Sequence, residues 1–386
     1  MEHKQLDFFA VQTEQNLSNA DSAIQKIHLL ALSRIRGIGF QTLRKVFERY
    51  RRLDTLWALS DDEIHDLASR FSRDELGRLV KTLRHEKNAL VEKAEADLRN
   101  FKKRGIDIAF ISEPDFPKRL SKIPDPPYWL FVEGNRELLT QDNLIAVVGT
   151  RTPSFKGLKY ARQICTILSK YGFPILSGLA EGIDEVAHQT SVDQGNHCIA
   201  VLGTGISVVF PSSTAGLRSR ILQCDGAVIT EYLPNDSYSK RRFIQRNRIQ
   251  AAISRVVIPV EWSEKGGTAH TIRYAEKYGR PVIFLSDPED EPANSKMQLY
   301  TSNHNRYAVN PESPSVEATL LSTLRGLDIE GEFTRTRPGA PMKPFRSVLD
   351  EFIRLADNYD LADEDFAWLI DELKQKWTEI KLRHDN

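Results

Sequence analysis

A doubly wound, mostly parallel α/β sheet, preceded by an all-helical domain and followed by a helical extension, is the fold this sequence predicts. Three observations predict it. From Asn143 to Leu285, apolar strand-like runs (LIAVVG, FPILSG, CIAVLG, AVITEY, RVVIPVE, PVIFLS) alternate with helical stretches. Strands buried on both faces read as such continuous apolar runs, and the helices between them cover the two faces of the sheet. Residues 21–104 carry apolar positions at helical spacing without such runs, and residues 341–386 return to a helical pattern with an acidic surplus.

The elements follow in order. Residues 1–20 are polar apart from Phe8 and Phe9 and read as an arm. In residues 21–104, Ile24, Ile27, Leu30 and Leu32 lead to Gly37-Ile38-Gly39, after which Leu43, Val46 and Phe47 recur, so helix, tight turn, helix is expected. Ser60 ahead of Asp61, Asp62 and Glu63 marks a further helix start. Residues 105–285 hold a bridge and then the sheet core. The bridge has a strand signal, IDIAFI, and the run DFPKRLSKIPDPPYWLFVEGN, whose prolines forbid continuous helix. Residues 286–340 read as a polar linker around a short helix near Val316–Leu327. Residues 341–386 hold 11 acidic and 7 basic residues, a net charge of −4, which argues against DNA binding by that segment.

Charge and cysteine content exclude several classes. Lys and Arg number 53 and Asp and Glu 53, so a polyanion partner must be held by local arrangement, and a histone-like role is excluded. Cys165, Cys198 and Cys224 are widely spaced, which leaves neither a disulfide framework nor a zinc ribbon and fits a reducing cytoplasm. No run approaches the roughly 18 apolar residues of a membrane span, and no basic segment leads into an apolar one at the start, so neither insertion nor export is expected.

Ligands of open parallel sheets sit outside the carboxyl ends of the strands. The loops there carry Gly149, Arg151 and Ser154, then Ser177, Gly178 and Gly182, then Gly203 and Gly205, and finally Gly266, Gly267 and Thr268 after Glu261. Small residues let backbone approach a ligand and helix N-termini present free N–H groups, so the set suits phosphate oxygens; each glycine alone reads first as a turn. The segment SKRRFIQRNRIQAAIS places Lys240, Arg241, Arg242, Arg246 and Arg248 together, with Phe243 and Asn247 among them. Guanidinium forks grip phosphates and a nearby ring stacks on bases, a pattern of single-stranded nucleic acid binding that competes with plain solvated surface. Gly37 and Gly39, flanked by Arg34, Arg36, Arg44 and Lys45, form either an anion nest or an ordinary helical hairpin turn.

Neither GxGxxG nor GxxxxGK[ST] occurs, so neither dinucleotide nor ATP is called for, and no cofactor or metal is expected. Asp184 and His188, four apart, share a helix face; a cap and a core histidine are preferred over an acid–base pair, and no catalytic residue is assigned.

Taken together, the bridge DFPKRLSKIPDPPYWLFVEGN, then VVGTR, SGLAEGIDEVAH, IAVLGTG with the later Phe210-Pro211, VITEYLP, FIQRNRIQAAIS and GGTAHTIRYAEKYGRPV resemble the DprA/Smf family of bacterial DNA-processing proteins. The resemblance runs from about Gly37 to Leu285. It implies a Rossmann-like core that binds single-stranded DNA, dimerises, and helps load a RecA-like recombinase in natural transformation, with no enzymatic activity. It also implies that Arg151, Ser177, Gly178, Gly182, Arg246, Asn247 and Arg248 line the phosphate path. The chain departs from the family pattern at Glu181, where a basic residue is usual, at Phe210, where tyrosine is usual, and at Ser286-Asp287-Pro288, where Pro-Gly is usual. It also lacks the winged-helix pattern that many members carry at the C-terminus. These departures keep two other readings open. One is a nucleotide-sensing or nucleotide-processing domain of a defence system, with Glu181 or Glu261 near a ribose. The other is an adaptor whose C-terminal helices recruit a partner protein.

Overall fold

The computed structural model describes residues 19–67, 72–286 and 306–329. The N-terminal arm up to residue 18 and the acidic segment 341–386 lie outside the described residues.

Five α-helices come first: α1 (Asn19–Ser33), α2 (Phe40–Tyr50), α3 (Asp61–Leu67), α4 (Arg73–His85) and α5 (Lys87–Lys103). The turn between α1 and α2 is the expected one: Gly37 takes φ 94°, where a side chain would be strained, and Gly39 caps α2. Phe40, Leu43, Val46 and Phe47 make the buried face of α2. Helix α4 starts on a reciprocal cap in which Ser72 Oγ accepts from Glu75 N at 3.3 Å and the Glu75 carboxylate accepts from Ser72 N at 2.9 Å.

One sheet organises the rest. Its strands are β1 (Ile106–Phe110), β2 (Trp129–Gly134), β3 (Ile145–Val148), β4 (Ile175–Ser177), β5 (Cys198–Val201), β6 (Ala227–Thr230), β7 (Val256–Pro259), β8 (Val282–Leu285) and β9 (Arg306–Val309), in the order β1-β2-β6-β5-β4-β3-β7-β8-β9. The intervening helices are α6 (Lys118–Ser121), α7 (Phe155–Lys170), α8 (Ile183–Asp193), α9 (Ala215–Gln223), α10 (Lys240–Ile253), α11 (Gly267–Lys277) and α12 (Val316–Gly326). Strands β3 to β9 pair in parallel and β1 and β2 antiparallel, giving the mostly parallel, Rossmann-like sheet with helices that the alternating pattern predicts.

The six apolar runs are β3 to β8. Two strands were not foreseen. WLFVEG, inside the proline-rich bridge, is β2 and joins β1 to β6. RYAV, in the stretch expected to be linker, is β9, paired with β8 from Val282↔Arg306 to Leu285↔Val309. Val309, Leu320, Leu324 and Ile329 are buried, so the core does not end at Leu285. The strand escapes the pattern because three of its four residues keep some exposure, so it lacks the continuous apolar run of the central strands.

The helical domain is packed on the antiparallel end of the sheet. Phe47 lies 5.6 Å from Phe110, 5.2 Å from Tyr128 and 6.4 Å from Trp129, ring centre to ring centre, and Phe40 lies 5.8 Å from Trp129 and 5.2 Å from Tyr232. Trp129 Nε1 donates to the Glu231 carbonyl at 2.9 Å, so a residue of the bridge fixes both the helices and the edge of the core. Removing such a buried ring costs about 3–5 kcal/mol. Phe47→Ala is therefore expected to lower the urea midpoint of the whole chain in one transition; an unchanged midpoint, or independent melting of the helices, would show that this packing does not couple the two parts.

Candidate nucleic-acid interface

The chain enters the parallel sheet at β3 and moves outward first to one side and then to the other, so the carboxyl ends of β3 and β7 form a topological switch point. The loops with the expected phosphate-binding residues do converge on this rim, but many of those residues are already committed to the protein.

Arg246 and Arg248 point inward from α10. Arg246, 3% exposed, donates from Nη1 to the Gly178 carbonyl at 2.7 Å and to the Val201 carbonyl, and from Nε to Asn247 Oδ1 at 3.2 Å. Burial pushes its pKa down to about 10, with Asp184 opposing the shift. Arg248, 2% exposed, grips the Glu231 carboxylate with both Nη atoms at 2.6 and 2.7 Å and reaches Asp125 Oδ2 from Nε at 3.2 Å. Burial works against its charge, but Glu231 more than compensates and its pKa is raised. Asn247 Nδ2 donates to the Gly267 carbonyl at 3.0 Å, and Ser177 Oγ, fully buried, donates to the Val147 carbonyl at 2.7 Å. Arg246, Asn247, Arg248 and Ser177, expected along a phosphate path, are thus buried and held by partners within the protein. Their polar atoms satisfy strand ends and a buried carboxylate, as buried charges and donors must.

Several of the glycines likewise face neighbouring parts of the chain. A Cβ at Gly178 would lie 2.5 Å from the Arg246 guanidinium, and one at Gly203 would lie 2.6 Å from the Phe243 ring. Gly149, Gly182 and Gly205 face Ile183, the Thr150–Arg151 backbone and the Leu233–Pro234 backbone. Their small size admits other parts of the chain, and a ligand is not needed to explain it. The N-terminus of α7 is also filled: Glu261 accepts from Ser154 N at 2.9 Å and from Ser154 Oγ at 3.0 Å. A carboxylate of the chain sits where a phosphate was expected, and Glu261 is placed as a helix cap rather than beside a ribose.

Four features of the rim remain open. At α11, Gly266 caps the helix without a side-chain bond, Gly267 is exposed and faces open space, and Thr268 is buried. At the start of α10, Lys240 and Arg241 are exposed, whereas Arg242 is held by Asp236 at 3.0 Å and lies over the Tyr232 ring. Next to them stands an aromatic ladder: Tyr238 stacks on Phe210 at 4.3 Å and 11°, Phe210 meets Phe243 at 5.7 Å, and the exposed Arg151 lies over the Phe243 ring at 5.1 Å. Tyr238 is 58% exposed and Val209 50%, an unusual exposure for residues of their size. Sequence reading singled out Phe243 and Arg151 but not Tyr238, because nothing in a chain order brings residue 238 onto residue 210. Last, Gly37 and Gly39 are exposed, and Phe40 beside them rests on Tyr232, whose hydroxyl donates to the Arg242 carbonyl at 3.0 Å. The helical hairpin turn is therefore a neighbour of the rim.

A family model described as DNA recombination-mediator protein A matches residues 107–312, more than half of the chain. The chain belongs to that family. Protein Smf of Synechocystis is 28% identical over 321 residues, covering 82% of this chain and 77% of that protein. DNA processing protein DprA of Streptococcus pneumoniae is 38% identical over 170 residues, which is 44% of this chain and 59% of that protein. The X-ray structure of the Streptococcus pneumoniae DprA superposes with a TM-score of 0.53 at 25% identity, covering 78% of this chain and 97% of that one. The family is one of DNA-binding recombination mediators, not of enzymes.

Within this recombination-mediator fold, Asp184 and His188 are structural. Asp184 Oδ2 accepts from Gly178 N at 3.1 Å, and burial raises its pKa. His188 is fully buried; burial, with the Arg246 charge adding to it, pushes its pKa down to about 3 and keeps the ring neutral. Glu181, the departure in the glycine loop, is exposed, and its carboxylate accepts from Ser213 Oγ at 2.8 Å. Among the described residues no helix is long and apolar enough to cross a membrane, and no cluster of metal-ligating side chains occurs.

Arg248→Ala leaves Glu231 uncompensated, which costs about 3–5 kcal/mol for a buried pair; urea unfolding should show a loss of that size, and a loss below about 1 kcal/mol would refute the assignment. His188 charges in the unfolded chain below its ordinary pKa of 6.5 but in the fold only near 3, so stability is lost as pH falls between those values. By pH 5 the loss amounts to roughly 2 kcal/mol. His188→Asn should flatten that part of the stability profile, and an unchanged slope would count against a neutral buried ring.

Proposed function

We propose that the carboxyl rim binds single-stranded DNA and that the chain acts as a recombination mediator, protecting the strand and passing it to a RecA-like recombinase. The observation that carries this reading is the ladder Tyr238–Phe210–Phe243 under Arg151, flanked by Lys240 and Arg241. An exposed stacking surface beside unpaired cations serves bases that are not already paired, because only a single strand has free base faces to offer. The open N-terminus of α11 and the Gly37–Gly39 turn lie on either side as backbone N–H donors for phosphates. Family membership and the names of the relatives, DNA processing protein among them, support a DNA role. Dimerisation through the core, action in natural transformation and a cytoplasmic location belong to the same proposal. Recruitment of a partner protein through residues 341–386 is a separate one.

The test is a titration of labelled single-stranded and double-stranded oligonucleotides across a salt series. Tyr238→Ala and Phe210→Ala should each weaken single-strand binding by about 1–3 kcal/mol with little change in salt slope. Lys240→Glu with Arg241→Glu should instead flatten the slope by about 1.4, two phosphate contacts on a single strand. Glu181→Arg should tighten binding and steepen the slope, since it replaces a repelled phosphate with an attracted one. Equal affinity for both DNA forms, or variants that behave like the parent, would overturn the rim assignment. The mediator step has its own readout: on a strand coated with single-strand-binding protein, the chain should shorten the lag of RecA filament assembly, and an unaltered lag would remove that part alone.

A further inference from the structure

The opposite edge of the sheet carries a second concentration of positive charge. At the amino ends of β3 and β8 the surface forms an open hollow of about 560 Å³. Helix α6 and the turn after it supply Lys118, Arg119 and Lys122, and the end of α11 and its following turn supply Lys277 and Arg280; Asp142, just ahead of β3, is the one acidic residue in the lining. Strands of four residues put this cavity about 13 Å from the carboxyl rim along the sheet. No residue assigned to the rim lines it.

The fold meets part of the demand of these arginines: Arg119 Nη1 donates to the Asp142 carbonyl at 3.4 Å and Arg280 Nη2 to the Arg119 carbonyl at 3.5 Å. Arg280 donates from Nη2 to the Ala252 carbonyl at 3.2 Å, but its Nε is buried without a hydrogen-bond partner. Burial holds its pKa below the ordinary value, and the charges of Arg119 and Arg255 add to the effect. Arg119 is lowered as well, by burial first, with Asp142 opposing and Arg255 adding to the shift. Its contact with Asp142 Oδ1, at 2.9 Å, is with a side chain that is 92% exposed, and water screens such a pair. Two guanidinium groups, Arg119 and Arg280, thus share the lining of the hollow with a single, solvated carboxylate, and the charge of Arg255 bears on both. Groups perturbed by burial and by one another in a hollow are where binding sites concentrate, and an anion between them would relieve the repulsion.

The chemistry of the occupant follows from the donors. Guanidinium forks match the tetrahedral oxygens of phosphate, mobile ammonium groups at the mouth add charge without fixed geometry, and five cations against one carboxylate suit more than one negative charge. A cavity of this size is in the range that holds small ligands. We propose that this cavity is a second anion site, at which Arg119 and Arg280, with Lys118, Lys122 and Lys277 at the mouth, bind a ligand carrying several phosphates. That chemistry has two sources, a free polyphosphate such as a nucleoside triphosphate or the backbone of a nucleic acid strand. The inference does not rest on the rim reading, since it uses none of the rim residues.

The experiment uses the full chain. Inorganic triphosphate and ATP are titrated calorimetrically, and a labelled single-stranded oligonucleotide is titrated by anisotropy. The parent is set beside Lys118→Glu with Lys277→Glu, which alters only exposed side chains, and beside Arg280→Gln, whose folding is checked by its melting midpoint. Small polyphosphate as the source is expected to appear as triphosphate and ATP binding that weakens at least tenfold in the lysine double variant while oligonucleotide binding holds. Strand backbone as the source is expected to appear as loss of oligonucleotide affinity in that variant, with a salt slope flatter by about 1.4. Either result supports the site. If the parent binds neither triphosphate nor ATP at millimolar concentration and all variants bind oligonucleotide as the parent does, the proposal is overturned. The rim reading is untouched by that outcome, because Tyr238→Ala and Phe210→Ala test it separately.

Discussion

Two guanidinium groups buried inside the carboxyl edge of the sheet set the position of nearly everything around the candidate site. Arg246 satisfies carbonyls at the ends of β4 and β5, and Arg248 ties α10 to Glu231 after β6 and to Asp125 in the bridge. Strand ends that open into loops leave carbonyls without ladder partners, and a buried charge is tolerated only where such acceptors surround it. Each need answers the other. With its middle turns locked in this way, α10 can present its first turn outward in only one orientation. That orientation exposes Lys240 and Arg241 and brings Phe243 over Gly203 and against Phe210.

The same constraint decides what kind of ligand the rim suits. A mononucleotide site in an open α/β sheet relies on vacant helix N-termini and on glycines that let the ligand in. Here Glu261 fills the start of α7, Asp184 takes the Gly178 N–H, and the space beside several glycines is taken by protein. What stays open along the rim is the ring stack ending in the exposed Tyr238, the surface cations Lys240 and Arg241, and the backbone at Gly267 and Gly37–Gly39.

The two edges of the sheet differ in how they hold charge. At the carboxyl edge the interior arginines are matched by carboxylates and carbonyls, and the free cations stand outside at the start of α10. At the amino edge Arg119 and Arg280, each influenced further by the charge of Arg255, line a hollow in which Asp142 is the one acidic lining residue. Both arrangements exist in a chain whose 53 basic and 53 acidic residues cancel, so the charge pattern lies in the placement and not in the total.

Sequence by itself determined the helical entry domain, the six central strands, the turn at Gly37–Gly39 and the family, because periodicity and ordered motifs are local properties that need no partner to be read. It located the rim as well, since loops after parallel strands meet at one edge. Strand β2, hidden among prolines, and strand β9, with three half-buried or exposed residues of four, became strands through pairing with β1, β6 and β8, which no local pattern records. The direction of side chains was likewise a tertiary matter. In SKRRFIQRNRIQAAIS the basic residues look alike, yet Lys240 and Arg241 face solvent while Arg246 and Arg248 are interior, because one end of α10 projects from the sheet and the rest crosses it. Tyr238 on Phe210, and Arg280 beside Arg119, are contacts between residues 28 and 161 positions apart in the chain. Only folding brings such residues together, and the physical reason is that stacking and charge act through distance in space and are indifferent to distance along the chain.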